Sequence, residues 1–184
     1  MAAAAYTIGE VLFNEHVIQT RVHELASDLG SMLMGKKDVV VVALLRGSFV
    51  FFADIIRELA RDGLDMRIDF LTVGSYVGNV SSTLQLKHDI EIDIRGSTVM
   101  VVDDILDTGR SLSFACDHLR AKGAAEVHTC VLLDKPSRRT VPRQADFIGF
   151  TIDDVFVVGY GLDFDHRHRE LPHIAAVRFP EDKQ

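Results

Sequence analysis

The spacing of apolar and polar positions divides the chain into alternating helical and extended stretches. Residues 15–34 place Ile18, Val22, Leu25, Leu29 and Met32 or Leu33 at helical spacing, which predicts an amphipathic helix. "DVVVVALL", residues 38–45, is a continuous β-branched run of the kind buried on both faces of a parallel sheet. "RGS" breaks it, and "FVFFADIIRELARDG" predicts a helix closing at Gly63, a residue suited to the left-handed position after a helix. "MRIDFLTV" predicts a second strand, while residues 74–90 lack a clean period and predict a long loop carrying a short hairpin. "STVMVVDD" is a third strand, followed by a helix from about Gly109 to Lys122 with Gly123 just beyond it. "EVHTCVLLD" is a fourth strand. "DFIGFTI" and "DVFVVGYG" supply more strand, and "LDFDHRHRELPHIAAVRF" forms a polar tail.

Buried apolar strands alternating with helices predict an α/β domain, a mostly parallel twisted sheet flanked by helices. Ligands of such sheets sit beyond the carboxyl ends of the strands. The polar clusters "RGS", "DDILDTGRS" and "DKPS" all fall there.

Composition narrows the class. A length of 184 residues suits one domain, and 47% hydrophobic residues argue against disorder. No apolar run reaches the ~18 residues that span a bilayer, and "MAAAAYTIGE" has no basic region ahead of an apolar stretch, so no signal peptide is expected. Two cysteines, Cys116 and Cys130, are too few for a disulfide framework or a four-ligand zinc site, and their apolar surroundings predict core positions. A reducing cytoplasm is the expected compartment. With no export signal, the sequon Asn79-Val80-Ser81 reads as coincidence. A net charge of -7 repels nucleic acid unless a basic patch overrides it. The nearest cluster, Lys135, Arg138, Arg139 and Arg143, lacks interleaved aromatics and reads as a solvated loop, Lys135 excepted.

The chemistry concentrates in residues 103–111. A glycine-containing turn from strand into helix aims backbone N–H groups and the positive end of the helix dipole at one point, and Thr108 and Ser111 add hydroxyl donors. An ordinary helix cap explains one acidic or hydroxyl residue there. It leaves Asp103 and Asp104 unexplained, because adjacent carboxylates at a buried strand end are costly. A sugar phosphate carrying a divalent cation accounts for both: the phosphate takes the amides of 108–111, and the acids take sugar hydroxyls and Mg²⁺. Asp107 lies between, placed to exchange a proton. Arg46-Gly47-Ser48 is a second anion seat on a neighbouring strand end. "GSMLMGKK", residues 30–37, nearly matches a nucleotide phosphate loop, but Lys37 stands where Ser or Thr belongs and the segment runs from helix into strand. His166 and His168, without a third strong ligand, read as solvated loop. Asp163 and Arg169 should be carried by "VFVVGYG" to the same sheet edge as the acids.

"VMVVDDILDTGRS" resembles the phosphoribosyl-diphosphate (PRPP) motif of type I phosphoribosyltransferases. Together with "LLRGS", "GSY", "LLDKPS" and "FVVGYGLDFDHRHRELPHI", in that order and spacing, residues 8–178 resemble the hypoxanthine-guanine phosphoribosyltransferase family, its bacterial members above all. The resemblance implies a core over about 36–160 and a hood built from the N-terminal segment and about 150–180. It implies that Asp103 and Asp104 hold ribose hydroxyls and Mg²⁺, that Asp107 exchanges a proton with purine N7, and that Thr108, Gly109, Arg110 and Ser111 cradle the 5′-phosphate. Arg46 and Gly47 would bind pyrophosphate beside a cis Leu45–Arg46 peptide. Ser75 and Tyr76 would belong to a loop that closes over the centre. Lys135 would donate to the 6-oxo group, Phe156 would stack on the base, and Val157 would offer backbone contacts. Asp163 would bind a second Mg²⁺, and Arg169 would reach the pyrophosphate. The implied activity is Mg²⁺-dependent salvage: a 6-oxopurine, hypoxanthine or guanine, plus PRPP gives the nucleoside monophosphate and pyrophosphate, in a homodimer or homotetramer acting on small molecules, with no nucleic acid or membrane partner. The alternatives are a nucleotide-sensing regulator on the same fold and a phosphoribosyltransferase for another base such as xanthine. The chain departs from the family pattern in having Asp rather than Glu at 103, in "SYVGNVSSTLQLKHDI", and in "RH" at 167–168 where aromatics are common.

Overall fold

A computed structural model describes residues 6–77 and 82–180. The elements run β1 (Thr7–Phe13), α1 (Glu15–Leu33), β2 (Val39–Leu45), α2 (Phe49–Arg61), β3 (Arg67–Val77), β4 (Ser82–His88), β5 (Thr98–Leu106), α3 (Arg110–Ala121), β6 (Glu126–Asp134), β7 (Phe147–Thr151), β8 (Val157–Val158) and β9 (Ile174–Arg178). Six strands form one sheet in the order β4-β3-β2-β5-β6-β7, parallel throughout except for the antiparallel β3–β4 pair. This is the mostly parallel, helix-flanked α/β sheet that the sequence predicts.

Local chemistry explains the helices that frame it. Asn14 caps α1 by accepting a 3.0 Å hydrogen bond from the Val17 N–H. The predicted stripe of Ile18, Val22, Leu25 and Leu29 is buried, and Leu33 rather than Met32 completes it. α1 and α2 cover one face of the sheet, where Phe51, Ile55 and Leu59 meet Val41, Ala43 and Met100. On the other face Leu112, Ala115, Cys116 and Leu119 of α3 meet Val40, Val42 and Val101. Alternate residues of the β-branched strands therefore enter opposite cores, which is why those strands read as unbroken apolar runs. Both cysteines are buried, and burial raises each thiol pKa, that of Cys116 to about 11.

Three departures from the sequence expectation concern the edges. The stretch 74–90 is more regular than its pattern suggests, because β3 continues to Val77 and pairs with β4. Residues 78–81, which include the whole sequon, lie outside the described residues. "DVFVVGYG" keeps only Val157 and Val158 in strand, since Gly159, Tyr160 and Gly161 follow with φ of 99°, 51° and 100° and turn the chain away. The polar tail conceals β9, which joins β1 and β8 in a separate antiparallel sheet, β1-β9-β8. That sheet brings the segment 159–169 across the strand ends of the large one.

Candidate active site

β2, β5 and β6 are adjacent and parallel, so Arg46, the acidic stretch from Asp103 and Lys135 emerge side by side. Above them lies a cavity of about 980 Å³. Leu45, Arg46, Gly47, Asp104, Asp107, Lys135, Phe156, Val157, Asp163 and Arg169, all singled out in the sequence, line it. A smaller hollow of about 60 Å³ adjoins, lined by Asp103, Asp107, Thr108, Gly109 and Ser111 among others. Asp107 faces both, as its intermediate place in the motif suggests. Arg110 opens α3 on the exposed surface and lines neither. Ser75 and Tyr76 sit near the hairpin end of β3, their backbones paired with Leu84 and Thr83.

The two adjacent acids do not share one face. Strand alternation turns Asp104 into the large cavity and Asp103 toward the smaller hollow. Asp103 Oδ1 accepts from the Asp104 N–H at 3.0 Å, and Asp104 Oδ1 accepts from the Ile105 N–H at 3.0 Å. Burial raises the pKa of both above the ordinary carboxylate range, Asp103 the more because the Asp104 charge adds to it. Arg169 opposes the rise at Asp104. A Cβ on Gly47 would lie 1.7 Å from Asp104 Oδ2, so the carboxylate occupies space that any other residue would fill. The Leu45–Arg46 peptide preceding it is cis, as the resemblance implies.

On the far wall, Lys135 is buried and donates to the Val155 carbonyl at 2.5 Å. Phe156, half exposed, lines the cavity and meets Phe164 and Phe179 in T-shaped contacts with ring centroids 5.5 and 6.0 Å away. Asp163 pairs with Arg169 at 2.6 Å and accepts from the His166 N–H, while Arg169 also donates to the Gly161 carbonyl at 2.5 Å.

Of the arginines after Lys135, Arg138 is exposed as a solvated loop predicts, whereas Arg139 and Arg143 correct that expectation. Arg138 reaches Asp107 Oδ1 at 3.3 Å and Asp154 at 3.6 Å, and both acids line the cavity. Arg139 is largely buried; it bonds the carbonyls of Leu106, at 2.7 Å, and Asp107, and it pairs with Asp134. Arg143 packs onto Cys116. The Leu106 carbonyl also accepts from the Lys135 N–H at 3.0 Å, and the Thr108 carbonyl accepts from the Thr140 and Val141 N–H groups at 3.0 and 3.3 Å. Three consecutive carbonyls, 106 to 108, are thus held by the segment 135–141. Gly109, with φ of 84°, completes the turn, and a Cβ there would crowd Val141, Arg139 and Arg143. The only sequence signal for this clamp was the basic cluster itself.

A cavity edged by paired acids, two anion seats and a half-exposed aromatic suits an anionic sugar and a flat ring. Residues 10–165 match the phosphoribosyl transferase domain. The chain belongs to the phosphoribosyltransferase family. Among the relatives of this phosphoribosyltransferase, hypoxanthine phosphoribosyltransferase of Escherichia coli K12 is 42% identical over 171 residues, covering 91% of this chain and 94% of that one. Hypoxanthine-guanine phosphoribosyltransferase of Aquifex aeolicus is 41% identical over 170 residues, with 91% and 94% covered. The crystal structure of a hypoxanthine-guanine phosphoribosyltransferase from Bacillus anthracis superposes with a TM-score of 0.87 at 40% identity, covering 95% of this chain and all of that one. The protein is an enzyme with a type I phosphoribosyltransferase fold. None of its described helices is long and apolar enough to cross a membrane.

Proposed function

We propose that this enzyme transfers the 5-phosphoribosyl group of PRPP to N9 of a 6-oxopurine, hypoxanthine or guanine, giving IMP or GMP and pyrophosphate in a cytoplasmic salvage step. The observation that carries the reading is that Asp107 and Lys135 line one cavity while Asp107 also lines the phosphate hollow. A purine between Phe156 and Ile105 could meet both groups while its ribose 5′-phosphate occupies 108–111. Lys135, already a donor in a buried site, would hold the 6-oxo oxygen; an exocyclic amine in its place would leave a cation facing N–H donors. Asp107 would exchange the proton at N7.

Loss of pyrophosphate builds positive charge on ribose C1, and the carboxylates of Asp104 and Asp107 stabilise it. Arg46, Gly47 and Arg169 would bind the departing diphosphate, and Ser75 and Tyr76 in the β3–β4 hairpin would close over it to exclude water. No group of three or more His, Cys, Asp or Glu suited to a metal occurs among the described residues. Mg²⁺ held by one or two carboxylates and by substrate oxygens fits that arrangement, with Asp104 and Asp163 as the cavity-facing ligands and Asp103 bracing Asp104 through its backbone N–H. When bound, the cation would neutralise the leaving group. Exposed Phe49, Ile68 and Phe70 offer an apolar face for the homodimer or homotetramer the family suggests.

The test is pyrophosphate release from PRPP and Mg²⁺ with hypoxanthine, guanine, xanthine, adenine or uracil supplied singly. Turnover with hypoxanthine or guanine and none with adenine or uracil is expected. Turnover with xanthine alone would move the base preference, and silence with every base would reject the reaction.

A further inference from the structure

We infer that Lys87, placed by a β-bulge, is a binding residue for the departing diphosphate. Five cations line the cavity: Arg46, Lys87, Lys135, Arg138 and Arg169. Three are already engaged, Lys135 by the Val155 carbonyl, Arg138 by Asp107 and Asp154, and Arg169 by Asp163. Arg46 and Lys87 form no side-chain hydrogen bond or ion pair among the described residues. With Gly47, Thr72 and Val73 they line the part of the cavity that β2, β3 and β4 supply, whereas Lys135 follows β6, beyond β5 in strand order.

The backbone aims Lys87 there. In the β3–β4 ladder Thr72 pairs with His88 and Val73 with Leu86, so Lys87 is the extra, unpaired residue of a bulge. A bulge breaks strict alternation and redirects a side chain. The Lys87 stem then lies against Gly74: a Cβ at that position would sit 2.0 Å from Lys87 Cε and 2.8 Å from Nζ. The glycine is the bed that lets the stem reach the cavity. An exposed ammonium lining the same cavity as Arg46 adds to the charge that Arg46 and Arg169 offer a diphosphate with its several anionic oxygens. Because β4 belongs to the hairpin that closes in the proposed reaction, Lys87 would tie closure to occupancy of the diphosphate site.

The inference rests on the proposed reaction, and its test separates the two. Binding of pyrophosphate alone, with Mg²⁺, is measured by calorimetry on the full chain for the parent, Lys87→Met, Lys87→Arg and Gly74→Ala, beside steady-state kinetics. Lys87→Met is expected to weaken pyrophosphate about tenfold and to raise KM for PRPP similarly, the loss expected of one partly hydrated charge-assisted contact. KM for the base should stay within about twofold, since Lys87 on β4 is separated by β3, β2 and β5 from β6, which Lys135 follows. Lys87→Arg should restore most of the affinity, and Gly74→Ala, which evicts the stem, should shift the same constants as Lys87→Met. Pyrophosphate affinity in Lys87→Met equal to the parent's would overturn the inference whatever the activity, as would equal losses for base and PRPP. Lys87-dependent pyrophosphate binding in a parent that turns over no base would keep the site and reject the reaction.

Discussion

Replacing Arg139 by methionine tests how the turn between β5 and α3 is built. The guanidinium lies between Asp134 at the end of β6 and the carbonyls of Leu106 and Asp107, with only 15% of its side chain exposed and 9% of the Asp134 side chain. Methionine fills similar space but strands the Asp134 carboxylate and takes the donor from the Asp107 carbonyl, while the Leu106 carbonyl keeps the Lys135 N–H. Removing one partner of a buried pair costs about 3–5 kcal/mol. For a chain of this size each kcal/mol lowers Tm by about 2–4 °C, so Arg139→Met should melt about 6–20 °C below the parent. The assay is calorimetric melting of the parent, Arg139→Met, Asp134→Asn and the double variant. Asp134→Asn combined with Arg139→Met should recover part of the loss, because the stranded charge is gone. Kinetically, a turn without the Arg139 contacts to carbonyls 106 and 107 holds the amides that follow it less firmly, so KM for PRPP should rise more than KM for the base. An Arg139→Met protein melting within about 2 °C of the parent, or a double variant no more stable than Arg139→Met, would refute the clamp.

Asp107→Asn should lower kcat by about 10²–10⁴ while PRPP binding, read by calorimetry, changes little, because the amide cannot exchange the N7 proton. Lys135→Ala should raise KM for hypoxanthine far more than KM for PRPP in steady-state assays, and it should weaken discrimination against adenine. Asp103→Asn should raise Tm at neutral pH without metal or substrate. Burial raises the Asp103 pKa in the folded state, so its contribution favours folding below the ordinary carboxylate range and is lost as pH rises through the folded value. The gain of the asparagine variant should therefore grow on going from about pH 4 to neutrality, followed by melting across pH.

The central sheet was legible because its strands are buried on both faces. Val39–Leu45 and, within β5, Val99–Val102 declare themselves by uninterrupted apolar runs, and the glycines at 63 and 123 mark the helix ends between strands. β1 and β9 were not legible. Each is short and pairs with the other across more than 160 positions, Thr7 opposite Arg178, so neither carries a local signal stronger than its polar neighbours. The cavity residues were readable where a motif gathers them, as in 103–111. Arg139 was missed because its partners are mainly backbone carbonyls, whose directions composition does not encode. Lys87 was missed because its placement depends on a single-residue slip in pairing. The opposed faces of Asp103 and Asp104 follow from strand continuation to Leu106, two residues further than the apolar run implies.

The central claim is that one cavity joins a 6-oxopurine to the phosphoribosyl group. Its most direct measurement is the product itself: the parent enzyme with PRPP, Mg²⁺ and hypoxanthine, quenched over time and resolved by chromatography with mass detection. IMP appearing one for one with pyrophosphate, and no AMP when adenine replaces hypoxanthine, is the predicted result. Pyrophosphate appearing without IMP, or AMP formed as readily as IMP, would contradict the account.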